Sequence, residues 1–99
     1  MLSILQGVSI STSPGVYLFK NTTGKILYIG KALNLKERLS SYTHIKNLSP
    51  AKQKMIGKAA VVELKPTLSE PEALILEASL IKKYHPPYNR PLHPSVYIS

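Results

Sequence analysis

The chain has no cysteine and no tryptophan. Without thiols it cannot build a disulfide framework, a zinc cluster of the cysteine type or a thiolate nucleophile. It also has no aspartate: its five acids are Glu37, Glu63, Glu70, Glu72 and Glu77. A two-metal phosphodiesterase centre, which needs several carboxylates around a close pair of cations, is therefore hard to assemble. No apolar run approaches the roughly 20 residues that cross a bilayer. Met1-Leu2-Ser3-Ile4-Leu5 lacks the basic start and long apolar stretch of a secretory signal, so a cytoplasmic protein without membrane contact is the expectation.

What is abundant is positive charge. Thirteen Lys and Arg against five acids leave a net charge of +8 on 99 residues. A surface of that kind suits a polyanion, with DNA or RNA foremost. Composition alone leaves open whether the protein acts on such a partner or only binds it. The length fits a single domain, residues 1–99, able to bury one core without staples. A compact part of about residues 14–90 and a proline-rich tail at 91–99 are expected within it.

The chain is organised around Gly15 to Tyr42. Gly15-Val16-Tyr17-Leu18-Phe19-Lys20 and Lys25-Ile26-Leu27-Tyr28-Ile29-Gly30 are two apolar, aromatic runs separated by Asn21-Thr22-Thr23-Gly24. This predicts a β-hairpin, because Asn and Gly both tolerate the positive φ that turns require. Strand alternation puts Tyr17 and Phe19 on one face and Val16 and Leu18 on the other. The same rule pairs Ile26 with Tyr28, opposite Leu27 and Ile29. Neither run alternates with polar residues, so both faces should be covered. Glycines at the strand ends, Gly15 and Gly30, allow another backbone or a ligand to approach closely.

Three helices are predicted. Asn34, with Glu37 three residues on, caps one that runs to about Tyr42 and buries Leu35, Leu39 and Tyr42. Arg38 sits beside that stripe. Ser49-Pro50 starts a second, ended by Gly57; Lys52, Lys54 and Lys58 along it are candidates for a stripe contacting backbone phosphates of DNA. Ala59 to Leu64 is β-leaning and reads as a third strand. Ser69, with Glu70 and Glu72 in the first turn, caps a third helix that closes on Lys82 and Lys83. It is apolar nearly all round and should be well buried. His85-Pro86-Pro87 stops it. His44, His85 and His93 fit no metal spacing.

Four of the glutamates have ordinary structural roles. Glu77 does not: its helical neighbours are Ala73, Leu74, Leu80 and Ile81, with no cation among them. A carboxylate on an apolar helix surface is costly unless something ionic meets it. Two readings stand side by side: a tertiary ion pair with Arg38 or a lysine, or a metal ligand. With one spare acid, the metal would be a single Mg²⁺ or Mn²⁺ completed by water and substrate phosphate.

Gly15-Val16-Tyr17 followed after ten residues by Tyr28-Ile29-Gly30 resembles the GIY-YIG nuclease superfamily. Within it the likeness is to the UvrC-type N-terminal nuclease domain of bacterial excision repair. It is carried by Pro14 to Tyr17, Tyr28 to Ala32, Arg38, Ser41-Tyr42, Glu72 to Glu77, Leu80 to Tyr84 and Tyr88-Asn89. The resemblance implies an α+β fold, a small three-stranded antiparallel sheet flanked by helices, and metal-dependent hydrolysis of a DNA phosphodiester. It implies that Glu77 holds the metal, that Tyr17 or Tyr28 deprotonates or orients the attacking water, that Lys31 and Arg38 act on the phosphate or the tyrosines, and that Tyr42 and Asn89 support the site. Repair proteins would be partners if the chain is part of a larger protein, and a monomer is expected in isolation.

Two departures accompany the likeness. The family continues after its Tyr-Asn with a Lys- and Asp-rich segment where Arg90-Pro91-Leu92-His93-Pro94 stands here, and its members are several times longer. A non-catalytic basic DNA-binding module of the same fold is the rival reading. A topoisomerase-like enzyme with a tyrosine nucleophile is another, and it would leave a covalent adduct on DNA.

Overall fold

A computed structural model describes residues 10–89; Arg90, the expected tail at 91–99 and most of the segment before the hairpin lie outside the described residues. The two expected hairpin strands form as β1 (Gly15–Lys20) and β2 (Ile26–Ala32). Their turn is built as its residues suggest. The Asn21 carboxamide oxygen accepts from the Thr23 amide, the Thr23 hydroxyl and the Lys25 amide, at 3.0, 2.8 and 3.0 Å. Gly24 takes a left-handed φ of 86°.

The third strand, β3 (Val61–Pro66), starts two residues later than the pattern predicts and pairs antiparallel with β1. The sheet order is β2-β1-β3. β1 is thus central and both of its faces are covered. Tyr17 and Phe19 enter one cluster with Leu35, Leu39, Tyr42, Met55 and Ile56. Val16 and Leu18 enter the other, with Ile29 and Ala73.

The register corrects one face assignment. Phe19 pairs with Tyr28 and Lys20 with Ile26, which leaves Leu27 as the extra residue of a bulge. A bulge inserts one residue and so resets the alternation. Leu27 joins Tyr28 on the Tyr17 side, whereas Ile26 packs with Ile29 on the opposite side.

The helices are α1 (Leu35–Ser41), α2 (Pro50–Lys58) and α3 (Glu70–Tyr84). Each has the expected cap: Asn34, Ser49 and Ser69 accept from the amides of Glu37, Lys52 and Glu72. α2 does not end at Gly57, which keeps a helical conformation; Ala59 is the cap residue beyond Lys58. The segment between α1 and α2 holds a 3-10 turn at Ile45–Asn47, and Pro87–Asn89 forms another.

α1 and α2 cover the Tyr17 face of the sheet and α3 covers the other. The expectation that α3 is well buried is not met. Only Ala73 is fully covered, while Leu74 and Ile75 are 53% and 70% exposed. The sheet is three strands wide, so only the stripe Ala73, Leu76, Leu80 and Ile81 reaches it.

Candidate active site at the rim of the sheet

Tyr17 and Tyr28 come from adjacent strands, and Tyr42 from the cap position of α1. The rings of Tyr17 and Phe19 meet that of Tyr42 edge to face, and the Tyr28 ring is tilted against Tyr17. Centroids lie 5.8 Å apart for Tyr17 and Tyr42 and 6.3 Å for Tyr17 and Tyr28, with Phe19 5.1 Å from Tyr42. That arrangement sets the positive edge of one ring against the negative face of the next.

Gly30 makes the packing possible. It is the cross-strand partner of Tyr17, and a Cβ there would clash with the hydroxyl end of the Tyr17 ring. At Gly15 a Cβ would meet Leu35 Cδ1 and the Lys65 carbonyl oxygen, both at 2.7 Å. The two glycines of the motif thus admit a phenol and a neighbouring strand.

The three phenols are not equivalent. Tyr17 and Tyr42 are each 1% exposed, and their hydroxyls share a hydrogen bond of 3.0 Å. Tyr28 is half-buried. Burial pushes all three phenols above their ordinary value, Tyr17 furthest. Arg38 opposes the rise at Tyr17 and Tyr42. Its guanidinium is exposed on α1, where solvent and a ligand can reach it.

Glu77 projects from α3 and is half-buried. Among the described residues no ion pair forms to it: the salt bridges there, at 2.5 and 3.1 Å, join Lys20 and Lys65 to Glu63. An Arg38–Glu77 pair is not among them. Desolvation raises the Glu77 carboxyl above its usual range, and Lys31 works against that shift. Lys31 is the cross-strand partner of Val16 and so belongs to the face that α3 covers.

Glu77 and the phenols therefore start from opposite faces of the sheet. The charge on Glu77 is the least of the influences that hold the proton on Tyr28. Asn89 clasps β2 at Ile29. Its amide nitrogen donates to the Ile29 carbonyl at 2.8 Å, and its oxygen accepts from the Ile29 amide at 2.6 Å. Asn89 thus satisfies both backbone groups of Ile29, the residue next to Tyr28.

The expected lysine stripe divides. Lys54 is exposed. The Lys58 ammonium lies 5.9 Å from the Tyr88 ring centroid, and the Lys52 ammonium 5.4 Å from that of Tyr28. Helical spacing reveals that three lysines share a helix but not that one of them reaches a strand tyrosine. A cleft at the hairpin turn, lined by Gly24, Lys25, Ile26, Tyr84, His85 and Pro87, contains none of the expected site residues.

The donor set suits a weakly held hard cation. Among the described residues no three acidic or histidine side chains gather in one place. A single carboxylate, partly open to water and without an ionic partner there, can bind a divalent ion that keeps most of its own waters.

Known proteins share this fold and much of this sequence. The family model for the UvrC-like GIY-YIG domain matches residues 13–90. UvrABC system protein C of Oleidesulfovibrio alaskensis is 51% identical over 81 residues, covering 81% of this chain and 12% of that protein. The protein of the same name from Methanococcus maripaludis is 46% identical over 95 residues, covering 91% and 18%. The chain thus spans less than a fifth of either relative. The crystal structure of the GIY-YIG N-terminal endonuclease domain of UvrC from Thermotoga maritima, bound to its catalytic divalent cation magnesium, superposes with a TM-score of 0.75 at 42% identity. That match covers 88% of this chain and 91% of the other.

Proposed function

The chain belongs to the UvrC-like GIY-YIG domain family, and from that membership we propose that it is a divalent-metal-dependent endonuclease that hydrolyses a DNA phosphodiester. Within a longer protein the reaction would be an incision in nucleotide excision repair, in the cytoplasm and with the other UvrABC proteins as partners. The observation that carries the reading is the cluster of Tyr17, Tyr28 and Tyr42 on β1, β2 and the end of α1, with Glu77 of α3 half-buried and without an ion pair among the described residues.

Glu77 would hold one Mg²⁺ or Mn²⁺. When bound, the cation supplies positive charge against the phosphate oxygens and favours loss of protons nearby. Tyr28 is the phenol suited to take the proton of the attacking water, because Tyr17 and Tyr42 are sealed and bonded to each other. It must first lose its own proton, which burial opposes; cations close to the ring favour that loss. Arg38, exposed beside Tyr42, presents a planar fork of donors to a phosphate oxygen. Lys31 limits the repulsion between Glu77 and an approaching anion. Water adds to phosphorus as the bond to the leaving sugar oxygen breaks.

The test is incubation with supercoiled plasmid and with damaged duplex, in Mg²⁺, Mn²⁺ or chelator. Metal-dependent nicking that the chelator abolishes is expected, with no protein–DNA adduct. Tight, salt-sensitive binding without nicking under every metal condition would return the chain to a DNA-binding module.

A further inference from the structure

Three cations serve the site, and each addresses a different group. Arg38 acts on Tyr17 and Tyr42. Lys31 acts on Glu77. Neither is the cation nearest in effect to Tyr28. The charged and titratable groups that face Tyr28 are Tyr17 from β1, Tyr42 from the end of α1, Lys52 from α2 and Glu77 from α3. Lys52 is the cation in that set.

Its placement is determined locally. The Ser49 hydroxyl accepts from the Lys52 amide at 3.2 Å, which fixes the first turn of α2. Met55 and Ile56, both buried, anchor the same helix to the Tyr17 face. Lys52 therefore emerges over the sheet. Its side chain is half-buried and its ammonium stands 5.4 Å from the centre of the Tyr28 ring, whereas Lys54 points to solvent. A lysine free to track DNA phosphates would behave as Lys54 does.

We infer that Lys52 is a positioning residue of the Tyr28 site, holding that ring and its hydroxyl through its ammonium, rather than a member of a phosphate-binding stripe. With Tyr17 packed on it as well, the Tyr28 ring has neighbours from both a strand and a helix. The position of its hydroxyl at the rim is then set by Lys52 as much as by β2. The inference rests on the nuclease reading, since positioning is measured as rate.

The test compares the parental chain with Lys52→Met and Lys52→Arg by single-turnover nicking at saturating DNA, together with DNA affinity at several salt concentrations. Lys52→Met is expected to lower the saturating rate about tenfold, the size of a partly desolvated cation–π contact. Affinity and its salt slope should stay close to parental. Lys52→Arg should recover most of the rate, because a guanidinium also stacks on an aromatic face. The opposite pattern overturns the inference: parental rate at saturation, weaker binding, and a salt slope reduced by about one. If Lys52→Met melts below the assay temperature, Lys52→Gln takes its place. Should the parental chain fail to nick DNA, the nuclease reading falls, and the contact is judged alone by NMR of the Tyr28 ring protons. Resonances unmoved by Lys52→Met would then overturn it.

Discussion

Tyr17, Phe19 and Tyr42 are at most 1% exposed on one face of the sheet, whereas α3 on the other face buries only Ala73 completely and leaves Ile75 70% exposed. The first face is a close-packed aromatic cluster roofed by α1 and α2. The second is a single helix lying across three strands. The tight face gives the phenols fixed positions, since rings in edge-to-face contact have little room to turn. The loose face gives Glu77 access to water, which a hydrated cation requires. The proposed chemistry lies where the two meet, at the rim of β2.

Glu77→Gln should separate the faces most sharply. Losing the proposed metal ligand is expected to lower nicking by at least about a hundredfold, as a cation's charge stabilisation is worth several kcal/mol. The melting temperature should not fall at neutral pH. The Glu77 carboxyl is raised in the folded state, so its contribution to stability is present below the unfolded value and lost as pH rises through the folded one. Mg²⁺ should raise the melting temperature of the parental chain and not of the variant. Parental nicking by Glu77→Gln would remove the metal assignment.

On the tight face, Gly30→Ala should do the reverse and damage stability first. The added methyl must displace the Tyr17 ring, at a cost of about 1–3 kcal/mol of overpacking, read in denaturant melts. A variant as stable as the parent would mean that the cluster yields more than its packing suggests.

Tyr17→Phe is expected to cost about 1–2 kcal/mol, because it removes the 3.0 Å hydrogen-bond partner of the buried Tyr42 hydroxyl. Raised phenols favour folding while protonated, so the parental melting temperature should drop above pH about 10 as unfolded tyrosines ionise. The variant should show a shallower drop; an equal one would show that other groups govern alkaline unfolding.

The smallest effect is expected at Gly57→Ala. Nothing lies within 4 Å of a Cβ there and the backbone is helical. The change should add about 0.5–1 kcal/mol of stability with no change in rate. Two glycines in the same chain would then respond to one substitution with opposite signs.

The features legible in the sequence were mostly local. The Asn21–Gly24 turn and the caps at Asn34, Ser49 and Ser69 depend on residues a few positions apart, and they formed as their chemistry suggests. The isolation of Glu77 along its own helix was visible too. The errors came from distant partners. The bulge at Leu27 is set by the pairing of β1 with β2, and it puts both Ile26 and Leu27 on the face opposite to the one that alternation predicts. The exposure of α3 follows from the width of the sheet beneath it. The double hydrogen bond of Asn89 and the contact of Lys52 with Tyr28 join segments that no periodicity links.

The side chain of Asn89 has one more effect. An outer strand with free amides and carbonyls invites a passing chain to add itself to the sheet. At Ile29 both groups are already taken by the carboxamide, so a stray segment would have to evict it before it could zip on. A single amide thereby guards the border nearest the phenols against unwanted strand exchange, at the spot where foreign backbone would do most harm.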